Sequence, residues 1–303
     1  MTAPTGEAPA TAETAPRTTA SSAPDVRRVV IGQALIVLGC LLVGVVASLI
    51  LVSPLRAARD QHVAYADLRY ALANATAPIG QVRDGALIPP GTPVALLTIP
   101  ALGLEQVVLE GTDSTITMSG PGHRRDSVLP GQVGHSVILG RAAAYGGPFR
   151  SIGDLTPGAE IVVTTGQGES RFAVTGVRLS GEQGTALAPG ESRLTLITAG
   201  GSAYLPSGLV QVDARLTTEP LPGAAMPLTS SMLASSELPM AGTPSAWLGL
   251  LLWGELLLVA AVASVWLTLR WGRWQAWVVV VPVLLALGLA VTTQAIALLP
   301  NLL

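Results

Sequence analysis

Three long apolar runs, 29–52, 246–269 and 276–299, constrain this chain more than any other feature. Each clears the roughly 20 residues that a helix needs to cross a hydrocarbon layer. A segment in that layer must satisfy its own backbone hydrogen bonds, so each run is expected to be a transmembrane helix. The hydrophobic half of the composition and a mean hydropathy of +0.54 agree with membrane spans. The first run is too long for a cleaved signal peptide. Its only small-residue cleavage candidate, Val46-Ala47-Ser48, is still followed by Leu49-Ile50-Leu51-Val52, so the run reads as an uncleaved anchor. Arg27 and Arg28 precede the first run, and Arg270 and Arg273 lie between the last two. The positive-inside rule puts both pairs in the cytoplasm and the long middle region outside, in a multi-pass protein of the cell membrane. Arg56 and Arg59, on the outer side, run against that bias. Trp247, Trp271, Trp274 and Trp277 lie near the expected interfaces, as an anchoring aromatic belt does.

Composition divides the rest. Residues 1–28 form a tail of mostly Ala, Thr, Pro, Ser and Glu that cannot bury a core, and are expected to be disordered. The first transmembrane helix is placed at 29–53. In 54–91, Leu55, Ala58, Tyr65, Leu68 and Leu72 recur near helical spacing and predict a stalk helix, which Pro78, Gly80, Gly85, Pro89, Pro90 and Gly91 then break into a linker. Residues 92–217 alternate short β-rich runs (94–99, 104–109, 136–139, 160–165, 171–177, 193–198 and 209–216) with Gly/Pro turns. That pattern predicts an all-β barrel or sandwich. A Pro-rich linker at 218–245 leads to the last two spans.

Several function classes are excluded at this level. A net charge of −2 offers no field for nucleic acid. The single cysteine, Cys40, lies in an apolar run, which rules out an intramolecular disulfide and a multi-cysteine metal site. His62, His123 and His135 lack metal-ligand spacing, so no metal and no cofactor are expected.

The β-region carries an ordered set of motifs. They are Leu96-Leu97-Thr98-Ile99-Pro100, Glu110-Gly111-Thr112, Gly120-Pro121-Gly122-His123, Leu129-Pro130-Gly131-Gln132, Ser136-Val137-Ile138-Leu139-Gly140, Tyr145-Gly146-Gly147-Pro148-Phe149 and Leu194-Thr195-Leu196-Ile197-Thr198. In this order they resemble the sortase family, closest to its actinobacterial class E type. The resemblance implies an eight-stranded sortase-like β-barrel over 92–217, flanked by one N-terminal and two C-terminal transmembrane helices. Sortases are cysteine transpeptidases that need a thiolate nucleophile, a histidine acid and an arginine that steadies the tetrahedral state. The family histidine follows the glycine after the Val/Ile strand, where this chain has Arg141. The family cysteine follows Leu-x-Thr, where this chain has Ala199. The family arginine opens the last strand, where this chain has Gly208. A methyl group cannot form an acyl-enzyme, and an arginine does not exchange protons near neutrality.

The resemblance therefore implies a pseudo-sortase: a membrane-anchored, non-catalytic surface binding or assembly module. Its implied partners are membrane lipid and a sorting-signal peptide, a surface protein or an active sortase. Two alternatives stay open. One is a transpeptidase or hydrolase using substituted residues such as Thr198 or Ser202 with His123 or His135. The other is a membrane-assembly component that depends on its helices. The surviving groove is expected to involve His123, Tyr145, Thr198, Gly200 and Gly201. Arg141 beside Gly200-Gly201 could hold a carboxylate, or else be solvated or paired with an acid, and Tyr145 is expected to pack on the barrel. Glu255, some nine residues into the second run and near mid-membrane at 1.5 Å per residue, must be protonated, paired or turned into the bundle.

Overall fold

The computed structural model describes residues 26–182, 184, 186–271 and 273–303. Of the tail expected to be disordered at 1–28, residues 1–25 lie outside the described residues, and 26–28 instead open the first helix. The first apolar run forms α1 (Val26–Ala47). It passes through one π-helical turn, Ser48–Val52, into α2 (Ser53–Ala73). Pro54 follows directly on this π-helical turn, a local change in hydrogen bonding that accommodates a residue with no N–H inside a continuous helix. A short hairpin follows, β1 (Val82–Arg83) and β2 (Ala86–Leu87).

The middle of the chain is a closed barrel. Its strands are β3 (Pro93–Ile99), β4 (Leu104–Glu110), β5 (Gly122–His123), β6 (Gly134–Leu139), β7 (Glu160–Thr165), β8 (Gly168–Leu179), β9 (Ser192–Ser202) and β10 (Leu205–Leu216), with a one-turn helix, α3 (Ser114–Thr117), after β4. Around the barrel the order is β10-β8-β7-β3-β4-β5-β6-β9. Two pairings, β4 with β5 and β6 with β9, are parallel, and the others are antiparallel. Closure removes the exposed edges that an open eight-stranded sheet would present. The expected eight-stranded barrel is present, and so are three helices long and apolar enough to cross a membrane: Leu38–Ala73, Ala246–Ser264 and Trp277–Ala297.

Alternation along the strands sorts side chains between the barrel interior and its outer surface. Leu97, Ile99, Ile138, Ile161, Val163, Phe172, Leu194, Leu196 and Val212 point inward and form the main core with Phe149 and Ile152. Fully burying a side chain of this size contributes about 1.5–3 kcal/mol.

The outer surface is also covered. Ala57, Ala64 and Leu68 of α2 are buried, and Ala64 and Leu68 pack with Val107, Leu109 and Ile116. Gln61, on the same stripe, clasps the edge of β4. Its Nε2 donates to the Val107 carbonyl (3.1 Å) and to the Ser119 carbonyl (2.8 Å), and its Oε1 accepts from the Val107 N–H (2.7 Å). Leu55 and Tyr65, on the expected stripe, are exposed instead, because the small alanines let the helix approach the barrel closely. The Pro-rich stretch 218–245 is laid along the barrel too. The Leu221 N–H donates to the Gly131 carbonyl (2.8 Å), Gln81 holds Leu228 through both backbone groups, and Thr112 Oγ1 donates to the Glu237 carbonyl (2.6 Å). The chain ends in α4 (Ala246–Trp271), α5 (Arg273–Ala297) and a short tail that returns to the barrel.

Candidate functional site

The expected site positions converge where β6 and β9 run side by side. Their parallel register pairs Leu139 with Ile197. The next step up is closed by Thr198 Oγ1 donating to the Gly140 carbonyl (2.8 Å), and Arg141 and Ala199 follow. Gly140 must be glycine, because a Cβ there would lie 2.5 Å from the Phe149 ring. Val137, Leu139, Ile197 and Ala199 point away from the main core and floor a groove on the outer surface. Leu302 is buried on that floor, with Ala142, Leu209 and Met240 at its sides.

Arg141 is completely buried. Its Nη2 donates to the Ser114 carbonyl (3.0 Å) and to Ser114 Oγ (2.9 Å), and its Nη1 donates to the Leu303 carbonyl oxygen (3.3 Å). Its Nε has no hydrogen-bond partner, and among the described residues no carboxylate side chain pairs with it. The Tyr145 ring lies 5.1 Å from the guanidinium carbon, and its π face partly offsets the lost hydration. Burial lowers the arginine pKa to about 10, so the group stays cationic at neutral pH. Arg141 is thus neither solvated nor paired with an acid. Burial likewise raises the Tyr145 phenol. Tyr145 is buried in a cluster with Met118 after α3, Ala144 of its own loop, Ala57 of α2 and Ile296 and Ala297 of α5, and not in the barrel's main core, and its N–H donates to Ser53 Oγ (3.0 Å).

Two expected groove features are placed elsewhere. Gly200 and Gly201 belong to the β9–β10 ladder, with Gly201 opposite Pro206, and the Arg141 guanidinium donates instead to the backbone and hydroxyl oxygens of Ser114. His123 pairs with Ile138, whose side chain lies in the main core, whereas Val137 and Leu139 on the opposite face floor the groove. Strand alternation therefore turns His123 away from the groove. The residue at the family arginine's place, Gly208, has φ +108°, and a Cβ would meet Ser180 Oγ at 2.9 Å. An arginine there would carry both backbone strain and a close contact.

The two barrel histidines each find a hydroxyl that the sequence did not suggest. His123 Nδ1 meets Glu110 Oε2 (2.8 Å), and its Nε2 lies 2.9 Å from the Val128 carbonyl and 3.1 Å from Ser127 Oγ. Burial pulls the imidazole pKa down, but the Glu110 charge and hydrogen bond, with help from the Val128 carbonyl and Asp126, leave it above the ordinary value. Protonated, the ring donates to Glu110 and to Val128. Ser127 Oγ spends its proton on the Arg124 carbonyl (2.7 Å) and accepts the Val137 N–H (3.2 Å). The Ser–His–Glu set therefore has no free base and no activated hydroxyl.

His135 Nε2 lies 2.8 Å from Thr195 Oγ1, which donates to Asp213 Oδ1 (2.7 Å). Asp213 is bound through both oxygens by Arg178, and Thr195 is buried. Desolvation, with Arg193 next, lowers the His135 pKa. Burial alone would raise that of Asp213, but its hydrogen bonds from Arg178 and Thr195 and nearby cations bring it below the ordinary value. Thr198 donates to Gly140 and Ser202 to the Leu205 carbonyl, so neither expected hydroxyl is held by a histidine.

Cys40 lies on α1, far along the chain from the groove, and among the described residues no group of His, Cys, Asp and Glu could hold a metal ion. Glu255 is exposed on α4, two residues from buried Leu257 and so on a different helix face. Among the described residues it has no hydrogen-bond or ion-pair partner, so it is not turned into the bundle.

Comparison with known proteins bears on this geometry. A family model described as the sortase domain matches residues 97–207, which run from β3 into β10. The chain is 28% identical over 109 residues to Sortase D of Bacillus subtilis (strain 168), covering 35% of this chain and 54% of that protein. The chain thus spans about half the length of the curated relative that it matches. Among solved structures, a Clostridium perfringens Sortase D5 transpeptidase aligns with a TM-score of 0.45 and 19% identity over 53% of this chain and 99% of that one. Sortase E from Streptomyces avermitilis aligns with a TM-score of 0.38 and 28% identity over 43% of this chain and 91% of that one. The matched segment lies within the closed barrel, the ordered motifs lie on its strands and turns, and this part of the chain is similar to the sortase domain.

Proposed function

We propose that this protein is a membrane-anchored, non-catalytic sortase-like module whose outer groove binds a peptide segment at the cell surface. The observation that carries this reading is the groove floor itself: the residue after Thr198 is Ala199, whose methyl packs with Leu139 and Ile197, so no thiolate is available there. Two features support it. Arg141 is engaged through Ser114 and Leu303 and stays cationic, which makes it an anchor for carbonyl or carboxylate oxygens and not a proton donor. Gly208 adopts a backbone conformation that disfavours the missing arginine. In the proposed topology the N-terminus and the α4–α5 turn are cytoplasmic and the barrel is extracytoplasmic, where surface proteins awaiting attachment, or an active sortase, are its natural partners.

The test is cleavage of a labelled sorting-signal peptide by the full chain in lipid nanodiscs, beside a variant carrying Ala199→Cys and Arg141→His. The expected result is no cleavage by the native chain. Turnover by the native chain sinks the reading and directs attention to the two histidine–hydroxyl sets. A second reading, a membrane-assembly component, is favoured by the docking of α2 and α5 onto the barrel through Ser53, Tyr145 and Ile296. Full partner binding by a chain lacking α4 and α5 would eliminate it.

A further inference from the structure

The end of α5 does not stop at the barrel surface. Residues 300–303 turn into the groove, between the 141–144 loop on one side and α3 with the 238–243 segment on the other. Asn301, Leu302 and Leu303 are each held by a different chemistry. Asn301 is fully buried; its Nδ2 donates to the Thr112 carbonyl (2.6 Å) and the Leu238 carbonyl (3.0 Å), and its N–H donates to the Ala241 carbonyl (2.8 Å). Leu302 is fully buried against Leu139, Ile197 and Ala199, and its carbonyl accepts from the Ala142 N–H (2.9 Å). The Leu303 carbonyl oxygen accepts from Arg141 Nη1 and from the Ala144 N–H (both 3.3 Å). Backbone N–H groups of the 142–144 loop and a buried guanidinium with a spare N–H thus converge on two successive carbonyls, while an apolar pocket takes the side chain between them. Such an arrangement reads a peptide folded into a tight turn, here closed by the Leu303 N–H donating to the Pro300 carbonyl (3.1 Å).

We infer that this groove is a binding site for a peptide turn of the pattern Pro–Asn–aliphatic–aliphatic, and that its resident ligand is the chain's own Pro300-Asn301-Leu302-Leu303. A peptide from another molecule must displace this segment first, and the segment competes with the high effective concentration of a tethered ligand. Because the tail is the direct continuation of α5, anything that shifts α5 in the membrane pulls on the plug. The inference rests on the reading of the groove as a peptide site, and it adds what occupies that site and what chemistry it recognises.

The test places a reporter thiol under the plug. In a Cys40→Ser background, Ala199→Cys puts the only thiol of the chain beneath Leu302. Alkylation by a charged maleimide is followed on the full chain in micelles. It is then compared with a chain lacking residues 300–303 and with Leu302→Asp, whose charge the apolar floor rejects. The expected result is labelling at least about tenfold slower in the full-length chain than in either altered chain, since the thiol reacts only when the tail opens. A millimolar peptide Leu-Leu-Pro-Asn-Leu-Leu should restore protection to the deleted chain, while a scrambled peptide should not. Equal labelling of the full-length and tail-altered chains, each with an unchanged thermal unfolding transition, overturns the plug. Equal labelling with and without the peptide overturns the assigned chemistry. Peptide turnover by the native chain would defeat the non-catalytic reading while leaving these labelling rates unaffected, so the two failures are distinguishable.

Discussion

Two buried basic side chains, His123 and Arg141, lie in the same barrel and are answered in opposite ways. His123 donates to the Glu110 carboxylate and the Val128 carbonyl, both within the barrel, so its charge and both its N–H groups are answered by neighbours that fold with it. Arg141 meets no carboxylate side chain, leaves Nε unpartnered, and relies on Ser114 and a carbonyl of the C-terminal tail. A charge fully compensated inside one domain is a lock on the fold. A charge compensated partly by a separate segment makes that segment matter, which is the behaviour expected of a binding site and not of a core.

The largest expected effect tests the lock. Glu110→Gln removes the carboxylate that answers the buried His123 ring and should cost about 3–5 kcal/mol of stability, measured by thermal unfolding of the full chain in micelles. Arg141→Met should change stability by no more than about 1 kcal/mol, because the loss of the hydrogen bonds to Ser114 and Leu303 is offset by no longer desolvating a cation that no acidic side chain pairs. A loss as large as that of Glu110→Gln would break the comparison and mean that Arg141 has an anionic partner. The smallest effect is a drift with pH. The folded-state pKa of His123 is raised above its ordinary 6.5, so its contribution is complete below about pH 6.5 and fades as pH rises through the folded value. Stability should therefore decline from pH 6 toward alkaline pH in the native chain, and His123→Gln should flatten that slope. An equal slope in both proteins would remove His123 as its source.

Much of the barrel was legible because its strands alternate and are separated by Gly/Pro turns. The run 160–165 coincides with β7, and β3, β4, β6, β8, β9 and β10 each contain an expected run. The two-residue strand Gly122-His123 was not, since two residues carry no alternation and exist as a strand only through pairing with Leu109–Glu110 and Ile138–Leu139. Arg141, Ala199, Thr198 and Gly208 were placed by their motifs, and parallel pairing of β6 with β9 brings the first three together. Glu110, Ser127, Thr195 and Asp213 went unread as partners of the histidines, because each partnership crosses from one strand or loop to another. The docked face of α2 was missed for a related reason. Alanine and glutamine do not advertise a buried stripe, yet Ala57, Gln61 and Ala64 make the contact.

The sequence by itself determined three membrane-length helices, a β-domain between them, and the identities Arg141, Ala199 and Gly208 at the positions that the resemblance singles out. Local apolar length, strand alternation and residue identity suffice for each of these. Only the tertiary structure decided that His123 turns away from the groove, that Glu255 faces outward, and that residues 300–303 return to cover Ala199. Those facts depend on which face of a strand or helix meets which distant segment. That is set by the simultaneous packing of the whole chain: Leu302 finds its pocket more than 100 residues from Ala199, through contacts that no local pattern encodes.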